Sequence, residues 1–201
     1  MFSARVFASA ALALSVLAAP LPAAAQFSPS HKFLQALRSG DDTAALQALS
    51  DKVDVNTADS VSGETGLHIA IGKRRLDWVG QLVRSGANIN ARDAKGQTPL
   101  QVAVNTNFTA AATLLAQRGA LLNERDNIGE TPLITAIHNR NAELVKVLVA
   151  AGANLDQADN SGRTARDYAA DEDRRGGNFV ALLKAPVSTA AKPGAKYGPS
   201  L

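Results

Sequence analysis

Two short stretches decide the fold: residues 96–100, GQTPL, and residues 129–133, GETPL. They lie 33 residues apart, and each places Thr directly before Pro. A Thr hydroxyl caps the first turn of a helix, and Pro fits the first helical position because the amide hydrogen that it lacks has no partner there. Each stretch therefore predicts the start of a helix, and the spacing indicates an internal repeat.

The same period runs through much of the chain. A Thr is followed five residues later by Ala in four units, and a Gly-Ala pair recurs in three of them. Apolar residues three and four apart predict two short helices per unit, and the polar stretch after them predicts a turn-rich finger. One helix pair cannot bury its apolar face alone, so the units must stack. The glycines that set the period are Gly63, Gly96, Gly129 and Gly162.

These stretches, with residues 119–123, GALLN, and 152–156, GANLD, resemble the G-x-T-P-L-H-x-A motif and the G-A-x-x-N turn of the ankyrin-repeat family. The resemblance covers roughly residues 31–184. It implies an all-α fold, an ankyrin-repeat solenoid of about five helix-turn-helix units with β-turn fingers. The units, numbered here as repeats one to five, are expected at about 31–59, 60–92, 93–125, 126–158 and 159–184.

Three departures from the family pattern carry expectations of their own. Gly66 stands in the place of Pro in repeat two, which predicts a looser helix start. Arg166 stands in the place of Leu in repeat five, which predicts an exposed, capping surface there. Residues 171–177 predict a widened turn between the two helices of repeat five.

The first 25 residues have the pattern of a secretory signal peptide. Arg5 supplies the positive charge, residues 6–19 form a short apolar run, and three Ala residues at 23–25 fit the cleavage site. The mature chain is then expected to begin at Gln26, although an uncleaved anchor helix is the alternative. The apolar run is too short to span a bilayer comfortably, and nothing after it predicts a membrane span.

The remaining segments complete the expected organisation. Residues 26–30 are interpreted as a short linker, residues 31–184 as the ankyrin-repeat domain, and residues 185–201 as a disordered tail rich in Ala, Pro, Lys and Gly. The chain has no Cys, so it can form neither a disulfide nor a lipid anchor at a Cys. Export without Cys favours a periplasmic location, with secretion as the alternative.

The residue types that carry chemistry are not arranged for it. His31, His68 and His138 fall in different repeats without the spacing of metal ligands. Aspartates recur with the repeat period directly before the finger turns, which predicts turn formation rather than acid–base pairing. Neither a G-x-S-x-G elbow nor a phosphate loop is present. The sequence predicts no catalysis, no metal and no cofactor, and the family motif implies a structural role for His68.

The resemblance implies that partners bind on the concave side, formed by the finger tips and the first helices. Basic residues outnumber acidic ones there, which predicts a protein partner with an acidic patch, and Ile128 suits an apolar contact. The alternative is that these positions are only solvated polar residues, and Trp78 is either packed or a second anchor. The implied surface comprises Glu64, Lys73, Arg92, Lys95, Gln97, Asn105, Thr106, Arg125, Ile128, Glu130, Asn139, Arg140 and Arg163.

The function expected from these features is a non-catalytic, monomeric protein-binding module of the cell envelope. It would serve either as an accessory to a periplasmic enzyme or as an immunity or adaptor protein. A secreted effector that binds host proteins is the alternative, since it would use the same surface. A formal charge of +3 and 4% aromatic residues argue against nucleic-acid binding.

Overall fold

The structure is a computed structural model, and it describes residues 28–184. The expected signal peptide, residues 1–25, and the expected tail, residues 185–201, lie outside the described residues. Within the described range the backbone forms ten helices and one isolated antiparallel bridge between Ala58 and Thr65. The helices are α1 (Pro29–Ser39), α2 (Asp42–Ser50), α3 (Gly66–Gly72), α4 (Leu76–Arg84), α5 (Pro99–Asn105), α6 (Thr109–Gln117), α7 (Pro132–His138), α8 (Ala142–Ala150), α9 (Ala165–Arg174) and α10 (Phe179–Leu182).

The helices form two layers that run the length of the molecule. The first helices of successive repeats, α1, α3, α5, α7 and α9, each pack against the next in chain order. The second helices α4, α6, α8 and α10 do the same, and each first helix packs on the second helix of its own repeat. The predicted serial stack of helix pairs is therefore confirmed.

The core between the layers consists mainly of Leu, Ile, Val and Ala. The recurring Ala of each first helix is buried, and its small side chain lets neighbouring helices approach closely. The recurring Leu of the second helix is fully buried in the same way. These residues are Ala70, Ala103, Ala136, Ala169, Leu82, Leu115 and Leu148.

The helix starts follow the sequence motif. The hydroxyl of Thr98 accepts a hydrogen bond of 3.3 Å from the Gln101 amide, and Pro99 holds the first helical position. Thr131 caps α7 in the same manner, again before a Pro. Gly152 follows α8 with φ of 92°, the left-handed conformation in which glycine commonly ends a helix.

Gly66 has a packing role at the start of α3. A Cβ there would lie 3.0 Å from Cδ1 of Leu37 and 3.2 Å from Cε1 of Phe33. The helix begins at Gly66 itself, after Thr65. The structure thus shows a close approach of repeat one at this point, which the ring of a Pro would obstruct.

Repeat five differs in part from its expectation. The widened turn predicted over residues 171–177 is wrong for residues 171–174, because α9 continues through Arg174. Asp171 stabilises this last turn by pairing with Arg174 at 2.6 Å, three residues further along the helix. Arg166 is exposed and pairs with Asp156 at 2.6 Å, as predicted for a capping surface. At the other end, α1 begins at Pro29, inside the expected linker of residues 26–30.

Candidate functional site

Each finger is a tight turn organised by one aspartate. In repeat three, Oδ1 of Asp93 accepts hydrogen bonds from the amides of Lys95 (2.9 Å) and Gln97 (2.8 Å). Asp126 and Asp159 make the same pair of bonds in the next two fingers. The predicted turn role of these aspartates is confirmed, and it fixes which residue stands at each tip.

Neighbouring fingers are packed against one another. The side chain of Asn160 lies against Gly129 of the preceding finger and donates a hydrogen bond of 3.0 Å to the Ile128 carbonyl. Asn127 lies against Gly96 in the same way, one repeat earlier. The tips therefore form a continuous row along the stack.

Two of the tips are apolar and solvent-exposed. Ile128 is 67% exposed, and Val61 is 80% exposed at the equivalent place in repeat two. Sequence reasoning missed Val61 because repeat two carries an extra residue before Gly63. The signal was present nevertheless, since Val61 follows Asp59 by two residues as Ile128 follows Asp126.

His68 is a neutral structural side chain. Its Nε2 lies 3.0 Å from the Gln97 carbonyl, which can only accept, so Nε2 carries the proton. Nδ1 therefore accepts from the Thr65 amide at 3.2 Å. Burial lowers the pKa of His68, against the opposing effect of the Gln97 carbonyl. The imidazole thus braces repeat two against the finger of repeat three.

Two arginines of the implied surface act as braces between repeats. The Arg92 guanidinium donates to the carbonyls of Gly96 (2.6 Å) and Arg125 (3.0 Å) and forms an ion pair with Glu124. Arg125 donates to the Ala158 carbonyl at 3.3 Å. Each side chain therefore supports the next repeat along the stack.

Two further arginines are held by carboxylates of repeat five. Arg140 adopts a left-handed φ of 52°, and its Nε lies 2.6 Å from Oε2 of the buried Glu172. Arg163 forms an ion pair with Asp171, and its guanidinium lies 4.1 Å from the ring centre of Tyr168. Each carboxylate is shared with a second arginine, since Glu172 also pairs with Arg175 and Asp171 with Arg174.

The two acidic residues of the implied surface also have partners within the molecule. Glu64 pairs with Arg38 at 3.0 Å. Oε1 of Glu130 lies 3.1 Å from Nδ1 of His138, and its other oxygen accepts from the Thr135 hydroxyl at 3.0 Å. Of the six basic residues of the implied surface, Arg92, Arg140 and Arg163 have acidic partners within the described residues, and Lys73, Lys95 and Arg125 have none.

Two lysines of the implied surface have no acidic partner among the described residues. Lys73, directly after α3, and Lys95, at the tip of the third finger, are exposed and form no ion pair within residues 28–184. Asn105 is also exposed, and its side chain has no hydrogen-bond partner in that range. These three side chains are available to a partner.

Thr106 and Asn139 serve the ends of the first helices. The Thr106 hydroxyl donates to the Val102 carbonyl at 2.8 Å. The Asn139 amide donates to the Val104 carbonyl at 3.1 Å and so reaches back to the preceding repeat. Both side chains donate to carbonyls near the end of α5 that also accept from the backbone amides of Thr106 and Asn107.

A cleft of about 350 Å³ opens between α1, α3 and the second finger. Gly72 creates this space, because the equivalent positions one, two and three repeats later carry Asn105, His138 and Asp171. We call it the N-terminal cleft. Its lining is Arg38, Glu64, His68, Ile69, Gly72 and Lys73.

The position that is open in the N-terminal cleft is occupied by side chains in repeats four and five. Tyr168 packs edge-on against the ring of His138, with 4.3 Å between ring centres. Its hydroxyl donates to Oδ2 of Asp159 at 2.6 Å, and this bond keeps the pKa of Asp159 well below its usual range. Within the described repeats, the open part of this face therefore lies towards repeats one and two.

Trp78 belongs to the second layer. It is 4% exposed, and its indole nitrogen donates to Asp42 of α2 at 2.8 Å. The packed alternative considered for Trp78 is therefore correct, and this residue is not an exposed anchor. None of the described helices has the length and apolar character needed to cross a membrane.

Helix pairs stacked in series and joined by a row of fingers define a solenoid repeat protein. A family model described as ankyrin repeats (3 copies) matches residues 33–126, and another, described as ankyrin repeats (many copies), matches residues 114–169. The chain belongs to the ankyrin-repeat family. No curated protein matches it. Ankyrin repeats are generally protein–protein interaction modules, and proteins built from them are typically non-catalytic scaffolds.

Proposed function

We propose that this chain is an exported, monomeric binding protein of the periplasm that holds an acidic patch of a protein partner on its finger-side groove. The groove is defined here as the surface formed by the finger tips and the first helices. The single observation that carries the proposal is the set of side chains left available there. They are two exposed lysines, Lys73 and Lys95, and two exposed apolar tips, Val61 and Ile128.

Charge and apolar contact together favour a protein over other partners. Interfaces combine a polar rim with apolar contacts that exclude water. The intramolecular ion pairs of Arg92, Arg140 and Arg163 leave only a modest positive surface, which is less than a nucleic-acid phosphate backbone requires. The biological role is either that of an accessory to a periplasmic enzyme or that of an immunity or adaptor protein.

Affinity capture from an envelope extract tests the proposal, with the mature chain from Gln26 to Leu201 as bait. The double variant Lys95→Glu/Ile128→Asp is expected to lose the captured protein. Its matched control is Lys146→Glu/Leu121→Asp, which changes an exposed lysine of α8 and an exposed apolar residue after α6. Equal capture by both variants would reject the groove. Alanine at Arg92, Arg125 and Arg140 is a poorer test, because those side chains brace the stack.

The location needs its own measurement. Cell fractionation with amino-terminal sequencing is expected to find the chain in the periplasm, beginning at Gln26. Recovery from the culture medium would instead favour a secreted effector that binds host proteins. Recovery from the membrane fraction with residues 1–25 still attached would favour the uncleaved anchor.

A further inference from the structure

We infer that the N-terminal cleft is a socket for one carboxylate side chain of an extended acidic protein segment, with Lys73 as its cation. This inference rests on the proposed function and narrows it to one subsite and one kind of occupant. The inference follows from the shape of the cleft and from which of its charged residues already have ion-pair partners.

The shape comes from a missing side chain. A Cβ added at Gly72 would meet nothing within 4 Å, so the wall of the cleft at this point is open space. Beside it lies Ile69, an apolar residue suited to contact the methylene groups of an incoming side chain. A volume of about 350 Å³ admits a side chain with part of its backbone.

The charges direct a carboxylate to one place. Arg38, also in the lining, pairs with two carboxylates, Asp59 (2.8 Å) and Glu64 (3.0 Å), so this group has a net negative charge and does not attract a further carboxylate. His68 uses both ring nitrogens within the protein. Lys73 is the cation of the lining that has no ion-pair partner within residues 28–184.

The repeat register explains why the socket occurs once in the described stack. One repeat later, Asn105 occupies the position of Gly72, and Thr106 occupies that of Lys73. Two repeats later, His138 fills the same place and packs against Tyr168. The combination of an open wall and an unpaired cation is therefore specific to repeat two among these units.

Poly-L-glutamate is the probe, because it presents side-chain carboxylates on a flexible polypeptide. Titrated into the ¹⁵N-labelled chain from Gln26 to Leu201, it is expected to shift the amide resonances of Gly72 and Lys73. Lys73→Glu should weaken binding roughly threefold to tenfold, the scale on which one exposed ion pair is lost and a repulsion added. The control Lys146→Glu makes the same charge change on α8 and should weaken binding less than twofold.

A steric test is independent of charge. Gly72→Leu fills the cleft without crowding and should improve the helix, since Leu favours helix more than Gly does. It is expected to weaken poly-L-glutamate binding, whereas Ala142→Leu, which introduces the same side chain at an exposed position of α8, leaves binding unaltered. Circular dichroism verifies that both variants fold.

The outcomes separate this inference from the proposed function. Equal loss in Lys73→Glu and Lys146→Glu, or unaltered binding in Gly72→Leu, would overturn the socket. Stronger shifts at Gly72 and Lys73 with inorganic polyphosphate than with poly-L-glutamate would overturn the protein occupant. In each case, a partner captured through Lys95 and Ile128 would leave the proposed function standing.

Discussion

His68 shows how one side chain joins two repeats when its protonation state is fixed. The Gln97 carbonyl needs a donor and the Thr65 amide needs an acceptor, so only the neutral imidazole serves both. Gln101 stands at the same position one repeat later and also accepts one hydrogen bond and donates another. Its Oε1 accepts from the Thr98 amide at 2.8 Å, and its Nε2 donates to a neighbouring carbonyl at 2.9 Å.

This equivalence leads to a pH prediction. The pKa of His68 is lowered in the folded chain from an ordinary value of 6.5, so acid protonates the unfolded chain first. Stability from this residue is complete above about pH 6.5 and falls as the pH drops towards the folded pKa. The free energy of unfolding of His68→Gln should lie within about 1 kcal/mol of the wild-type value at pH 7. Between pH 7 and pH 5 it should fall by less than the wild-type value does.

Urea unfolding at both pH values measures the effect. An equal loss in the two proteins would contradict the assignment of this acid sensitivity to His68. The carboxylates do not confuse the measurement. The pKa values of Asp59 and Asp159 are also lowered on folding, but their contribution is lost only as the pH falls below the ordinary range near 4.

The finger glycines offer a second test at the residue scale. Gly129 and Gly162 both have positive φ, 89° and 80°, so Ala at either position costs about 1–2 kcal/mol of backbone strain. A Cβ on Gly129 would also collide with Asn160, whereas one on Gly162 meets nothing within 4 Å. Gly129→Ala should therefore be more destabilising than Gly162→Ala by about 0.5–1.5 kcal/mol, because the exposed Asn160 side chain must move and lose its hydrogen bond to the Ile128 carbonyl.

Thermal or urea unfolding of the two variants provides the comparison. Both variants have the same cost of placing Ala at a positive φ. The difference between their free energies of unfolding therefore measures the packing between fingers. Equal destabilisation would show that each finger stands alone and would remove the argument for a continuous row of tips.

At the scale of the element, the second helix of repeat one is the least embedded. Only Ala45 of α2 is buried, and Leu46 remains 53% exposed. Asp42 secures this helix to repeat two, since its carboxylate accepts from Trp78 and pairs with Arg75. A single polar residue thus replaces much of the apolar contact that the inner helices make.

Removing that carboxylate should loosen the element. Asp42→Ala leaves the buried indole N–H of Trp78 without its partner, which is unfavourable. We expect a lower unfolding midpoint and a red-shifted Trp emission, because water gains access to the only Trp of the chain. Asp77→Ala is the control, since Asp77 lies 3.5 Å from the same Arg75 but does not contact the indole. Identical spectra for the two variants would contradict this role of Asp42.

The helices were predictable because their signals are local and repeated. Thr98 and Pro99 fix a helix start within two residues, and the 33-residue period carries that inference to the other units. The roles of the surface arginines were not predictable in this way. Arg92 and Arg140 find partners 32 residues further along the chain, and only the spacing of stacked repeats brings those partners close. Position in the motif predicts which residues face the groove, but it cannot give the ion pairs that those residues form with other repeats.

At the scale of the whole molecule, the repeats of residues 28–184 pack in series, and the main helix contacts join each repeat to the next one. Stability is then a sum of repeat and interface terms, and unfolding spreads along the stack. An inner repeat has two interfaces to lose and a terminal repeat has one. The position of a substitution in the stack should therefore decide how far its effect extends.

Two matched truncations test this coupling. Leu115→Ala removes a fully buried side chain from α6 and should cost about 2–5 kcal/mol. Leu183→Ala removes a side chain that is 5% exposed, directly after α10 in the last repeat. In Leu115→Ala, we expect faster native-state amide hydrogen exchange in all helices from α3 through α8. In Leu183→Ala, we expect faster exchange in α9 and α10 only. Faster exchange confined to α5 and α6 in Leu115→Ala would mean that the repeats fold independently, and the continuous groove would then have no cooperative support.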